Sequence, residues 1–394
     1  MEVKVFCYNV LAPNLCKPQD FIKSDAKHIN AETRFKAILK LLRKAVEDEA
    51  VICLQEVTER WAGRFLAFFD ENDYYMVTSN YNVRPFTGHM GIATAFPRKR
   101  FKMTECKFVR PSRVSLGRDF YKNKNKWSKF DVLPSMWTPQ FWKGAAVACG
   151  ATALSLLVPN GMLTRATVTT LVCATATTIL GNTMREPSSW AAKQANKTLE
   201  ERLRDFHNVL VQVKLYDREK KTAFCVANYH MPCRFDDEEI MVALAALARK
   251  KVASLAKKSP VVFCGDFNST PETPSYQTLV MDGKSDVPTK YVSMKIDKRT
   301  MFPLQVPNMR SAFADKMGKE PEFTNYARRL FRGKLIEFID CLDYIFISDH
   351  FQVIDVSETP TKEETVSNSE SYPDGNQPSD HIPITATLKI KGKL

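Results

Sequence analysis

Gly265-Asp266-Phe267-Asn268-Ser269 directly follows the apolar run Pro260 to Cys264, and Ser379-Asp380-His381 stands just before the alternating stretch Ile382 to Ile390. Asp266 and Asn268 occupy alternate positions past a buried strand, so both side chains can point to one side of its end. A carboxylate and an amide placed there can orient a water and a phosphate oxygen. Glu56 closes Val51 to Gln55 and is a natural ligand for a hard cation, which takes oxygen donors and keeps several waters. Asn9, after Phe6-Cys7-Tyr8, can offer its amide oxygen beside that cation, and His230, closing Asn228-Tyr229-His230, can hydrogen-bond a phosphoryl oxygen. Asp343 lies within the otherwise apolar Cys341 to Ile347; a buried acid needs a partner, and orienting an imidazole is a common solution. Singly, each group has a bland reading: an Asp-Asn turn, a surface glutamate opening a helix, a structural histidine. Together they are what a metal-assisted phosphodiesterase needs.

Periodicity identifies the elements that must hold these groups. Val3 to Val10 reads as a strand, Ala31 to Val46 as a helix with Phe35, Ile38, Leu39, Leu42 and Val46 on one face, and Ala50 to Leu54 as a short buried strand. Thr222 to Asn228 is a strand, Glu238 to Ala256 an amphipathic helix, and strands follow to Gly265, over Cys341 to Ile347, near Phe351 to Val356 and from Ile382. Strands and helices thus interleave over 1–97 and 200–394, the expected catalytic domain. The Ser-, Thr-, Glu-, Asn- and Pro-rich stretch Ser357 to Pro378 reads as an exposed, mobile loop.

The chain has 394 residues, enough for one large α/β domain or two smaller ones. Its 44% hydrophobic and 26% charged residues are ordinary, whereas a net charge of +13 is not. Polyanionic partners are therefore expected, either nucleic acid or an anionic membrane surface. Cys7, Cys53, Cys225, Cys264 and Cys341 sit in apolar runs with neither zinc-like nor disulfide-scaffold spacing, and read as buried reduced thiols. Met1 leads straight into Val3-Lys4-Val5-Phe6-Cys7 without an export signal, so the expected location is intracellular, cytosolic or nuclear-facing, and not secreted.

Residues 98–199 read as an insertion. A basic stretch, 98–130, includes Arg98, Lys99, Arg100, Lys102 and Lys107, and an apolar hairpin, 141–182, breaks at Pro159-Asn160-Gly161. Each apolar arm is shorter than the roughly 20 residues needed to span a bilayer upright. With Trp137, Phe141, Trp142 and Trp190 at its flanks, the hairpin suits insertion into one leaflet of an anionic membrane, or packing as a soluble helical pair.

Six motifs, Tyr8-Asn9-Val10-Leu11-Ala12, Leu54-Gln55-Glu56-Val57, Asn228-Tyr229-His230, Gly265 to Ser269, Leu342-Asp343-Tyr344-Ile345-Phe346 and Pro378-Ser379-Asp380-His381, resemble in order those of the endonuclease/exonuclease/phosphatase superfamily. The first of them and Phe323-Thr324-Asn325-Tyr326 are most similar to its deadenylase branch, of nocturnin, carbon-catabolite-repressor and 2′,5′-phosphodiesterase type. The resemblance spans about three quarters of the chain and omits the insertion. It implies a four-layer α/β sandwich, two mixed β-sheets face to face with helices outside, and a Mg²⁺-dependent pocket in which Mn²⁺ can substitute. By the same carry-over Glu56 with Asn9 holds the metal, Asp266 with Asn268 positions water and phosphate, and His230 and His381 bind or polarise the phosphate. Asp343 orients His381, Asp380 supports a second metal position, and Phe338 stacks a base. Asp266 and His381 compete as general base. This sequence departs from the pattern at Tyr229, at Met231-Pro232-Cys233 and in the long link Ala327 to Glu337, with Arg328, Arg329, Arg332 and Lys334.

The expected activity is a Mg²⁺-dependent 3′-exoribonuclease on single-stranded RNA of the poly(A) type, associated with a membrane through the apolar hairpin. Alternatives are a sphingomyelinase-like or phosphoinositide-directed phosphodiesterase, a 2′,5′-oligoadenylate phosphodiesterase or DNA endonuclease, and an inactive membrane-tethered scaffold. The oligomeric state is not legible in the sequence.

Overall fold

The computed structural model describes residues 1–84, 88–113, 197–280, 289–296, 299–331 and 333–391. Its strands are β1 (Glu2–Asn9), β2 (Val51–Thr58), β3 (Tyr74–Arg84), β4 (Gly88–Pro97), β5 (Phe101–Val109), β6 (Leu210–Asp217), β7 (Thr222–His230) and β8 (Val261–Asp266). After them come the short β9 (Lys295–Ile296), β10 (Arg299–Thr300) and β11 (Met309–Ser311), then β12 (Asn325–Phe331), β13 (Lys334–Asp340), β14 (Asp343–Ser348), β15 (Phe351–Val356) and β16 (Ile384–Ile390).

Alternation along β1 divides it between two environments. Val3, Val5 and Cys7 join a core shared with Val211, Val213, Val226, Val262 and Ile345, whereas Phe6 and Tyr8 pack with Phe35, Ile38, Leu42, Trp61 and Phe65 of the helices Ala31–Glu47 and Glu59–Glu71. Both faces of the strand are therefore covered, and the arrangement is two six-stranded sheets with helices around them. One sheet runs β15-β16-β1-β2-β4-β3 and the other β11-β14-β8-β7-β6-β5. Each fully buried aliphatic side chain contributes about 1.5–3 kcal/mol, so this shared core holds the sheets without covalent links. Cys7, Cys53, Cys225, Cys264 and Cys341 are buried free thiols, as their apolar settings suggest. A polar tie also crosses between the sheets: Gln55 Nε2 donates to Asn228 Oδ1 at 2.8 Å, and Asn228 Nδ2 to Ala93 O at 2.9 Å.

Strand direction decides where the site forms. β1 and β2 are parallel, as are β7 and β8, while β16 and β14 run antiparallel beside β1 and β8. Asn9, Glu56, His230 and Asp266 thus sit at or near the ends of parallel strands, and Asp343 and His381 at or just before the starts of their antiparallel neighbours. All six emerge at one edge of the sandwich. Gly265 has φ +151°, and a Cβ there would lie 1.8 Å from Tyr229 O, so only glycine lets β8 approach β7 this closely just before Asp266.

Two expectations change, and one link acquires a structure. Phe101–Val109, placed in the insertion by its basic character, is the edge strand β5, paired with β6 from Phe101↔Asp217 to Val109↔Leu210. Charged residues on an exposed edge blunt unwanted pairing and conceal the strand pattern. The stretch Ser357 to Pro378 is not simply a loop: Thr361 and Glu364 form a capping box on the helix Lys362–Asn368, and Tyr372 packs edge-on against Tyr326. The link Ala327 to Glu337 belongs to a ribbon, β12 paired with β13.

The chain divides into one compact unit of Met1–Leu116 with Leu199–Leu394 and another of Gly117–Thr198. The basic residues beyond 113 and the apolar hairpin 141–182 lie outside the described residues. Among the described residues, no helix is long and apolar enough to cross a membrane.

Candidate active site

Asp266 Oδ2 is the hub at the sandwich edge. It accepts from Asn9 Nδ2 at 2.9 Å and lies 3.4 Å from His230 Nε2 and 3.7 Å from His381 Nε2. The other oxygen, Oδ1, accepts from the Asn268 backbone N–H at 2.9 Å, an Asx turn that reverses the chain beyond β8. Asn268 has φ +47° and donates through Nδ2 to Met231 O at 2.9 Å, fastening the loops after β7 and β8 together. Burial pushes the Asp266 carboxyl above the ordinary range, against the downward pull of His230 and His381.

Glu56 reaches the hub through a distortion of its strand. It has φ +59° where the β2–β4 register shifts between Gln55 and Val57, so a bulge re-aims its carboxylate. Such a backbone is strained for a residue other than glycine, which is a cost that clusters at working sites. Glu56 Oε1 accepts from Asn9 Nδ2 at 3.2 Å and Oε2 from Ala12 N at 2.9 Å. Asn9 therefore bridges two carboxylates with its NH₂. Its amide oxygen, which sequence reading offered to a metal, instead accepts from Leu11 N at 3.0 Å; turning the amide over would set NH₂ against N–H.

Around His381 the order is equally specific. Nδ1 meets Asp343 Oδ2 at 2.7 Å, and Thr324 Oγ1 donates to that same oxygen at 2.7 Å while accepting from Leu342 N and Asp343 N, each at 2.9 Å. Burial alone would lower the His381 imidazole, but the carboxylates of Asp343, Asp266 and Asp380 outweigh it and raise the group to about 10. The pairing thus favours the protonated form of His381. His230 is turned by Tyr81, whose hydroxyl contacts its Nδ1. Burial pushes the Tyr81 phenol up, so it keeps its proton; Asp266 Oδ2, 3.4 Å from Nε2, favours the N–H on that nitrogen, and Tyr81 then donates to Nδ1.

The structure thus gathers Asn9, Glu56, His230, Asp266, Asn268, Asp343 and His381, and none is more than 9% exposed. Asp380 is buried beside them, and its carboxylate faces Arg329 Nη1 at 3.8 Å. Phe338, on β13, stands farther out against Phe235, ring centroids 5.7 Å apart and 38° between planes.

Arg34, Tyr81, Thr324 and Phe235 had no assigned role from sequence, while Arg329 stood only among the link's charges that would suit an RNA backbone. Arg34 is the most informative of them. Only 1% exposed, it donates through Nε to Pro378 O at 2.6 Å and through Nη2 to Val10 O and Leu11 O at 2.7 and 2.6 Å, with its guanidinium over the Trp61 ring. It staples the end of β1 to the loop carrying Asp380 and His381. The signal was a charged residue in phase with Ile38 and Leu42 on the buried helix face.

The donor set suits a hard divalent cation. Glu56 and Asp266 are buried carboxylates sharing one neutral amide, Asp343 Oδ1 is buried without a hydrogen-bond partner among the described residues, and side-chain atoms of Asp266, Asp343 and His381 lie within 4.8 Å of one another. Buried anions of this kind call for a counter-cation, and oxygen donors favour magnesium or a similar ion.

Known proteins share the family and the fold. A profile described as the Endonuclease/Exonuclease/phosphatase family matches residues 26–381. The 2′,5′-phosphodiesterase 12 of Bos taurus is 32% identical over 190 residues, 46% of this chain and 29% of that protein. The CCR4-Not complex 3′-5′-exoribonuclease subunit Ccr4 of Candida albicans is 31% identical over 138 residues, 34% of this chain and 16% of that protein. These alignments span less than a third of either relative. The crystal structure of ANGEL2, a 2′,3′-cyclic phosphatase, in complex with adenosine-2′,3′-vanadate shares the fold with TM-score 0.62 at 18% identity, covering 99% of this chain and 96% of that one.

Proposed function

This chain belongs to the endonuclease/exonuclease/phosphatase family, and on that premise we propose that it is a divalent-metal-dependent hydrolase of phosphodiester bonds, a 3′-exoribonuclease acting on single-stranded RNA of the poly(A) type. The observation that carries this reading is the convergence on Asp266 Oδ2 of the Asn9 amide and two imidazoles, with Glu56 joined to it through Asn9.

Glu56 and Asp266 would hold the cation, Mg²⁺ or in its place Mn²⁺, with Asp380 as an outer carboxylate. When bound, the metal supplies Lewis-acid polarisation of the phosphate and stabilises the leaving oxygen. In this reading Asp266 takes the proton of the attacking water, and His381, paired through Nδ1 with Asp343, is favoured in its protonated form and serves as a donor. His381 and His230 present N–H groups to the phosphate oxygens, and Asn268 fixes the Asp266 carboxylate by its backbone N–H. Phe338 and Phe235 offer exposed ring surface for the base next to the cleaved bond.

The test is a substrate panel with purified protein and Mg²⁺: 3′,5′-oligo(A), mixed RNA, 2′,5′-linked adenylate and sphingomyelin vesicles. Stepwise release of mononucleotide from the 3′ end of oligo(A), abolished by Glu56→Gln, is expected. Intact oligo(A), or equal cleavage by Glu56→Gln, would reject the reading. Region 98–182 is further proposed to hold this intracellular enzyme at an anionic membrane surface, on the strength of its basic and charge-free sequences.

A further inference from the structure

Pairing in the ribbon β12–β13 sorts its side chains onto two faces, because cross-strand partners share a face. Ala327 with Phe338, Arg329 with Ile336, and then Lys334 lie on one side; Tyr326 with Ile339, Arg328 with Glu337, and Leu330 with Leu335 lie on the other. The second face starts at Tyr326, buried against Tyr372, and continues through the Arg328–Glu337 ion pair.

The first face starts at the catalytic centre. Asn325 bridges His381, Arg329 reaches Asp380 across the Phe21 ring, and Phe338 packs on Phe235. Farther out, Ile336 is 46% exposed and Lys334 is also exposed. Each two-residue step advances about 6.8 Å along a strand, so an aromatic, an aliphatic and a cationic side chain succeed one another outward from the pocket, with Arg329 beside the middle one.

We propose that this face guides the substrate strand beyond the cleaved nucleotide: Ile336 lies under the second base from the scissile phosphate, and Arg329 and Lys334 meet the backbone phosphates on either side. This rests on the exoribonuclease reading above and adds to it a strand at least three nucleotides long. A single-stranded polynucleotide is the occupant because apolar and cationic groups alternate on one face, continuous with the pocket, in a chain of net charge +13. A membrane surface meeting the ribbon's tip would engage both faces.

Leu335 provides the control. It neighbours Ile336 in sequence and is 48% exposed, but lies on the opposite face. Binding of fluorescein-labelled eight-nucleotide oligo(A) is measured by anisotropy with the full chain carrying Asp266→Asn, in Mg²⁺. Ile336→Ser is expected to raise Kd roughly fivefold or more, Leu335→Ser to leave it unchanged, and Lys334→Ser to reduce the slope of log Kd against log salt by about 0.7. Equal effects of Ile336→Ser and Leu335→Ser, or none from either, overturn the guide; equal loss of binding to phosphatidylserine vesicles in both would assign the tip to a membrane instead. Ile336-dependent binding of RNA that the unmodified protein does not cut would reject the exoribonuclease reading and leave the guide standing.

Discussion

His381 Nδ1 and Asp343 Oδ2 lie 2.7 Å apart, both buried, across 38 positions of sequence. Asp343 is in turn held by Thr324, so the carboxylate is oriented before it orients the imidazole. The pairing fixes the ring's orientation and turns Nε2 toward Asp266, 3.7 Å away, which is the geometry the proposed donor role of His381 requires.

The same pairing sets a pH dependence of stability. Folded His381 titrates near 10, above its ordinary 6.5, so its contribution is fully present below pH 6.5 and is lost as pH rises through about 10. Thermal unfolding should show Tm falling between pH 7 and 10. Asp343→Asn should lower Tm at pH 7 and flatten that decline; an undiminished slope in the variant would exclude the pair as its source.

Asn9 joins Glu56 to Asp266 with a single NH₂ group. Asn9→Leu leaves two buried carboxylates facing each other without the bridge, so metal affinity and activity should each fall roughly 10- to 100-fold. Calorimetric titration with Mn²⁺ beside kinetics checks this. Unchanged metal affinity would restrict Asn9 to a packing role.

Arg34 donates to three carbonyls, at the end of β1 and before Ser379. Arg34→Met should destabilise the protein by about 3 kcal/mol, the scale of breaking buried charge-assisted bonds. Arg34→Lys should recover little, since an ammonium cannot reproduce the fork. Denaturant unfolding of both variants supplies the comparison, and full recovery by lysine would refute the geometric account.

Phe235 and Phe338 form a tilted pair at the rim. If a base stacks there, Phe338→Ala and Phe235→Ala should each raise KM on oligo(A) by an amount corresponding to about 1–3 kcal/mol, with kcat little changed. Steady-state kinetics on oligo(A) decides, and a loss confined to kcat would instead mean that the rings position the catalytic loop.

Region 98–182 should confer flotation with phosphatidylserine vesicles that weakens in high salt and disappears when 130–196 is deleted. Flotation unaffected by the deletion would move the membrane contact elsewhere.

Much of the fold was legible because alternation and helical spacing are local. The helix Glu238–Ala256 and the strand Phe351–Val356 have the bounds their patterns indicate, and the acids and histidines of the pocket announced themselves as polar residues closing apolar strands. Edge strand β5 and the ribbon β12–β13 were obscured by charge. Phe235 and Tyr81 gave no local sign of function, because an exposed phenylalanine or a strand tyrosine acquires a role only from what it meets.

By itself, then, the sequence determined the sandwich's alternating strands and the chemical kinds standing at their ends, since both follow from side-chain type and short-range period. Tertiary structure alone decided that Asn9 and Asp266, 257 positions apart, share a hydrogen bond, that Asn9 turns its NH₂ and not its oxygen to the acids, and that Arg34 ties β1 to the His381 loop. Those outcomes depend on two parallel strand pairs ending at one edge, and hydrogen-bond direction is settled only when both partners are in place.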